Sequence, residues 1–129
     1  MTNMTFTKSI GTPAYMAPEV LHREHYKMPA DIYSLSITML EIMIWGEAFP
    51  KEEFKFPWSI ADFVVEGKRP SLINKVTNVN IKQLIQQMWC QNPEERIKID
   101  DIVVSLETIF KDFSDTSSYD NIPSFSDSK

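Results

Sequence analysis

The chain has 129 residues, enough for one domain with one core. Hydrophobic residues make up 43%, and 18 acids against 13 bases give a net charge of −5. That balance argues against a general nucleic-acid binder, which would carry a basic face. The one basic doublet, Lys68-Arg69, reads as a solvated helix end. A single cysteine, Cys90, excludes an internal disulfide and fits a reducing compartment. Beside Trp89 in an apolar run, it reads as a core residue rather than a nucleophile. The opening "MTNMTFTKSI" has neither an apolar core nor a basic start, so it does not read as a signal peptide.

Residues 1–13 are rich in Thr, Ser and Asn and read as a loop. Pro18 suits the first position of a short helix through "EVLHRE". Lys27-Met28-Pro29 then breaks the chain. The strongest helix follows, from Ala30 to Trp45, with eleven apolar or aromatic residues in sixteen, spread around all sides. Such a helix is expected to be buried on every side. It is too short for a membrane span of ~20 residues, and it carries Asp31 and Glu41. Gly46 is the expected stop.

Residues 47–57 read as an irregular loop. "WSIADFVVEG" reads as an amphipathic helix with Ser59 as cap and Gly67 as stop. Lys68 to Asn78 reads as a linker. Ile81, Leu84, Ile85, Met88 and Trp89 fall at helical spacing, with Asn80 as cap and Pro93 as breaker. A last helix carries Ile102, Val103, Leu106, Ile109, Phe110 and Phe113 on one side, with Asp100 and Asp101 at its positive end. Past Phe113 the composition turns to Ser and Asp, and residues 114–129 are expected to be a disordered acidic tail. There is no internal repeat, no alternating strand pattern and no heptad. The expected fold is mainly α, with amphipathic helices around one buried central helix.

Four blocks, in order, carry a resemblance to the C-terminal lobe of protein kinases. "GTPAYMAPEV" resembles the substrate-binding loop and its Ala-Pro-Glu end. "KMPADIYSLSITMLEIMIWG" resembles the central helix of that lobe. "IADFVVEGKRP" is similar to the next helix in tyrosine kinases and their relatives. "MWCQNPEERIKIDDIVVSLE" is similar to the Trp-x-x-x-Pro-x-x-Arg signature and the final helix. The resemblance runs from Gly11 to about Phe113, within a partial kinase domain at residues 1–113. "GTPAY" resembles serine/threonine kinases, while the last two helices look like tyrosine kinases. That mixture resembles the tyrosine-kinase-like group.

The resemblance implies roles for particular residues. Gly11, Thr12 and Pro13 would position a protein substrate, Thr12 by bonding to a catalytic aspartate and lysine; an ordinary turn is the alternative. Glu19 and Arg96 would form a buried ion pair, for which a planar guanidinium facing a carboxylate is well suited. Asp31 would anchor the catalytic loop, and if buried without that loop it would be a costly polar group. Thr5, Thr7 and Ser9 are candidate phosphorylation sites. Ile97 and Lys98 stand where kinases often place proline and a capping threonine, leaving the cap of the last helix to Asp100.

Phosphoryl transfer needs parts that do not occur in this sequence: a G-x-G-x-x-G loop, the ATP lysine, His-Arg-Asp and Asp-Phe-Gly. No catalytic residue and no metal ligand is therefore expected in this chain, although the intact family uses ATP and Mg2+. The chain begins just after the point where Asp-Phe-Gly would stand, so a fragment of an active kinase is expected. That parent would phosphorylate protein serine or threonine, with tyrosine left open. The alternative is a catalytically empty module that docks a kinase or its substrates. Expected partners are a protein substrate or the N-terminal part of the kinase, with no nucleic acid and no membrane segment in the chain. The expected location is cytoplasmic, a membrane-anchored parent being left open.

Overall fold

The computed structural model describes residues 12–22 and 27–120, with side chains for all of these except 113 and 115–120. Gly11, Thr5, Thr7 and Ser9 lie outside the described residues. Five α-helices appear among them: α1, Pro18–Leu21; α2, Met28–Ile44; α3, Pro57–Val65; α4, Val79–Met88; and α5, Ile99–Asp120. Short 3-10 turns stand at Pro13–Tyr15, Ser71–Lys75 and Pro93–Glu95. No strand occurs among the described residues. The fold is mainly α, as the periodicity predicts.

The chain forms two compact units, Met1–Ile97 and Lys98–Lys129. In the first, α2 is the centre. It packs against α4, the Pro13–Tyr15 turn and the Ser71–Lys75 turn, while α3 packs against the Pro13–Tyr15 turn and α1. Tyr33, Ile37 and Leu40 of α2 join Val64, Ile73, Val76, Ile85 and Trp89 in one buried cluster. Phe49, Phe54 and Phe63 close one side of it as edge-to-face pairs with centroids 5.0–6.2 Å apart. The second unit, as far as it is described, is α5.

Burial of α2 among the described residues is confined to one face. Ala30, Tyr33, Ile37 and Leu40 are buried. Met28, Leu35, Ile42 and Trp45, on the opposite stripe, are exposed, Ile42 by 61% and Trp45 by 89%. Helical spacing of three and four puts each set on its own side.

Several helix ends also differ from the sequence reading. Trp45, not Gly46, takes the left-handed position after α2, at φ 55° and ψ 51°. α3 starts at Pro57 rather than after Ser59, because a proline in the first turn has its φ preset and lacks only an N–H that would be orphaned anyway. Asn78, not Asn80, caps α4, its Oδ1 accepting from the Ile81 N–H at 3.0 Å. Gly67 has φ 96°, which suits the stop expected of it. Asp100 lies inside the first turn of α5 rather than at its cap. α5 runs past Phe113 to Asp120, since adding residues to an existing helix costs far less than starting one.

Candidate functional site

The site is built on the Pro13–Tyr15 turn. Thr12 is extended, and its Oγ1 accepts from the Ala14 N–H at 3.2 Å. Pro13 follows in the first position of the turn and is buried. The threonine hydroxyl thus caps the turn it precedes, and the proline ring stiffens it.

Two side chains of α2 hold this turn. Ser34 Oγ donates to the Tyr15 carbonyl at 2.5 Å, and Tyr15 Oη donates to Glu41 Oε1 at 2.5 Å. The other Glu41 oxygen accepts from the Ala48 N–H at 3.0 Å. One carboxylate therefore fixes both the turn and the start of the segment joining α2 to α3. The hydrogen bond to Glu41 is the main reason the Tyr15 phenol is pushed up to about 12; partial burial and the charges of Glu41 and Glu47 add to it. Sequence reasoning used Glu41 only against a membrane span. An acid in the interior of so apolar a helix was the signal that it had a partner to hold.

Beside the turn opens a cleft of about 540 Å³. Tyr15, Glu41 and Glu47 line one part of it, and Phe49, Phe54 and Phe56 another. The Phe56 ring stacks on Trp58 at 4.4 Å, and both rings are about half exposed.

A second cluster lies behind the turn. Arg96 faces Glu19 with two parallel bonds of 2.8 Å, from Nη1 to Oε2 and from Nη2 to Oε1. Its Nη1 also donates to the Pro29 carbonyl and its Nε to the Cys90 carbonyl, both at 2.8 Å. One guanidinium thus joins α1, the start of α2 and the chain beyond α4. Arg69 was missed by the sequence reading, which took Lys68-Arg69 as solvated. Lys68 is solvated, pairing with Glu66 at the surface. Arg69 turns inward and donates to the carbonyls of Trp89, Val64 and Lys68 and to Gln91 Oε1. Burial holds its pKa below the usual arginine value. It thus adds a donor to carbonyls at the ends of α3 and α4.

The Tyr33 ring is 5.2 Å from the Arg69 guanidinium and 5.4 Å from that of Arg96. The tyrosine side chain is fully buried, and its hydroxyl has no hydrogen-bond partner among the described residues. Burial pushes the phenol up to about 12. Cys90 is half-buried, its thiol 3.8 Å from the carbonyls of Gln86 and Gln87.

Asp31 stands in the first turn of α2 and is exposed, so the burial cost anticipated for it does not arise. No group of three or more His, Cys, Asp or Glu able to hold a metal occurs among the described residues. Among them, too, no helix is long and apolar enough to cross a membrane.

A helical scaffold that presents a pinned Pro13–Tyr15 turn and locks the glutamate of its Ala-Pro-Glu segment to a distant arginine defines a class of protein. The protein kinase domain family matches residues 1–106, and the chain belongs to that family. It is 36% identical over 108 residues to the probable serine/threonine-protein kinase gdt9 of Dictyostelium discoideum, covering 84% of this chain and 7% of that protein. It is 37% identical over 100 residues to the serine/threonine-protein kinase WNK3 of Mus musculus, covering 77% and 6%. It is 38% identical over 104 residues to the dual specificity protein kinase shkA of Dictyostelium discoideum, covering 79% and 19%. The chain thus spans less than a fifth of the length of each of these relatives.

Proposed function

We propose that this chain is the substrate-positioning part of a kinase C-terminal lobe, serving transfer of the ATP γ-phosphate to protein serine or threonine. Gly11, Thr12 and Pro13 orient the acceptor segment, Glu19 and Arg96 hold their base, and Asp31 anchors the catalytic loop. Thr5, Thr7 and Ser9 are the sites at which phosphorylation would regulate the loop. The observation that carries this reading is the double anchoring of the Pro13–Tyr15 turn by Ser34 and Glu41. Phosphoryl transfer is mostly positioning, and a rigid loop supplies it.

No nucleotide or Mg2+ site is assigned to this chain, since the sequence has no phosphate loop. No step through either is assigned to this chain, and by itself it is inactive. The motif mixture, together with similarity to a dual specificity kinase, supports membership of the tyrosine-kinase-like group and leaves room for tyrosine as a second acceptor.

The test is phosphate transfer to peptide substrates by the polypeptide that carries this segment. Thr12→Ala should lower kcat/KM by about 10²-fold, the scale of a small misplacement of reacting groups. Wild-type activity in Thr12→Ala overturns the role of the turn, and transfer by the 129-residue chain alone overturns its inactivity.

The second reading, a catalytically empty docking module, draws on the exposed stripe Met28, Leu35 and Ile42 of α2 with Trp45 just after it. Such a stripe favours association. A stoichiometric complex with another kinase, isolated from cells with no phosphate transfer by either wild-type or full-length forms, would favour it over the first.

A further inference from the structure

α5 carries two apolar faces, and among the described residues only one of them is buried. Ile102 is 1% exposed and Ile109 is half-buried. Ile99, Val103, Leu106 and Phe110 are all exposed, Phe110 by 70%. Their spacing of four, three and four residues lines them along one stripe, because a helical turn takes 3.6 residues. The sequence reading put Ile102, Val103, Leu106, Ile109 and Phe110 on one side; burial divides that side in two. A helix normally turns polar residues to solvent, so a continuous exposed apolar stripe marks a surface for association.

One edge of the stripe is acidic. Asp100 and Glu107 stand along it, both exposed. Among the described residues the ion pairs are Lys68–Glu66 and Arg96–Glu19, so neither acid has a cation there. Lys111, one turn beyond Glu107, is exposed and does not pair with it. Asp100 lies in the first turn, where the positive end of the helix accounts for it. Glu107 is mid-helix, out of reach of that effect, and stands one turn from both Val103 and Phe110.

We infer that this stripe docks an amphipathic helix of a partner protein, whose apolar seam lies on Ile99, Val103, Leu106 and Phe110 and whose lysines or arginines lie beside Asp100 and Glu107. Alternation of four and three is the spacing of helix pairing, in which side chains of one helix fill the gaps of the other. A basic flank on the partner complements the acids and sets its register. A second copy of α5 fits less well. Laid antiparallel, it brings Asp100 and Glu107 against the same acids; laid parallel, it brings them against the edge that carries Ile102 and Ile109. An anionic bilayer is repelled by the same acids. The stripe is about three turns long, so the contact is small and reversible.

The test uses the kinase polypeptide that carries this segment and synthetic leucine-heptad helical peptides flanked by lysine, by glutamine or by glutamate. Affinity is read by fluorescence anisotropy at low and high salt, and the footprint by amide hydrogen exchange. The lysine-flanked peptide should bind about tenfold or more tighter than the glutamate-flanked one, with glutamine between them, and should protect α5. The preference should shrink at high salt. Phe110→Ser should weaken binding about tenfold, the scale of a buried aromatic anchor. Glu107→Lys should reverse the order of the lysine and glutamate peptides. Both residues are exposed, so helix content by circular dichroism should not change; Val103→Ser repeats the measurement if Phe110→Ser misfolds. Equal binding of the peptides, no binding, or binding unmoved by the variants overturns the docking surface. Self-association that Phe110→Ser abolishes, without peptide binding, overturns it in favour of a second copy. Binding to phosphatidylserine vesicles that Phe110→Ser abolishes, without peptide binding, overturns it in favour of a membrane. Docking needs no phosphate transfer, so lysine-selective binding by a polypeptide without kinase activity supports the surface and counts against the proposed function alone.

Discussion

Arg96 and Glu19 meet across 77 positions of sequence in two parallel 2.8 Å bonds, with only 1% and 10% of their side chains exposed. Removing one partner leaves the other charged and buried, which typically costs ~3–5 kcal/mol. Arg96→Ala should be the more damaging change, because the Pro29 and Cys90 carbonyls lose their donor as well. Glu19→Ala combined with Arg96→Ala should cost clearly less than the two singles added. Arg96→Lys should not rescue, since an ammonium cannot make the fork. Urea unfolding of wild type and these four variants measures this, and strictly additive costs would show that the pair is energetically unimportant.

That pair was legible in the sequence because both residues sit in fixed motifs, "APE" and W-x-x-x-P-x-x-R. The helices were legible for a different reason: apolar spacing and proline mark where they run. Glu41 and Arg69 were not legible. Each looks like a surface charge when read along the chain, and each acts through partners brought in by folding, the Tyr15 hydroxyl and the Trp89 carbonyl. Which side of α2 is covered was hidden too, because an all-apolar composition does not distinguish its faces.

Arg69 gives the contrast within the basic doublet. It satisfies the carbonyls of Val64 and Trp89, at the ends of α3 and α4, and carries no acid partner among its bonds. Leaving buried acceptors unpaired costs about 1–3 kcal/mol, so Arg69→Ala should destabilise by roughly that amount or somewhat more. Lys68→Ala should stay within about 0.5 kcal/mol, because its pair with Glu66 is exposed. Equal effects of the two substitutions in thermal unfolding would contradict the inward role of Arg69.

Trp45 should be replaceable with profit to stability. It sits in the left-handed region, where an L side chain costs roughly 1–2 kcal/mol and glycine nothing comparable. Its ring is almost wholly exposed, so little packing is lost. Glycine loses more backbone freedom on folding, which offsets part of the gain. Trp45→Gly should therefore raise stability by up to about 1 kcal/mol, some 4–8 °C in Tm for a domain of this size. A fall in Tm would mean that the indole is covered by something in the whole protein.

Tyr15 and Tyr33 make stability depend on alkaline pH. Both phenols are pushed up to about 12, the first chiefly by its bond to Glu41 and the second by burial. In the unfolded chain they ionise near pH 10. Below pH 10 both states hold the proton, and the full stabilisation is present. Between pH 10 and 12 the unfolded state releases protons that the folded state keeps, so stability falls as pH rises. Phenylalanine at either position removes that tyrosine's share of the fall. At pH 8 the two variants should differ. Tyr15→Phe loses a hydrogen bond and should cost about 1 kcal/mol or more, since Glu41 then keeps only the Ala48 N–H. Tyr33→Phe removes a buried hydroxyl that has no partner among the described residues, and should be neutral or stabilising. Urea midpoints at pH 8 and pH 11 read both effects, and a destabilised Tyr33→Phe at pH 8 would mean that its hydroxyl is hydrogen-bonded in solution.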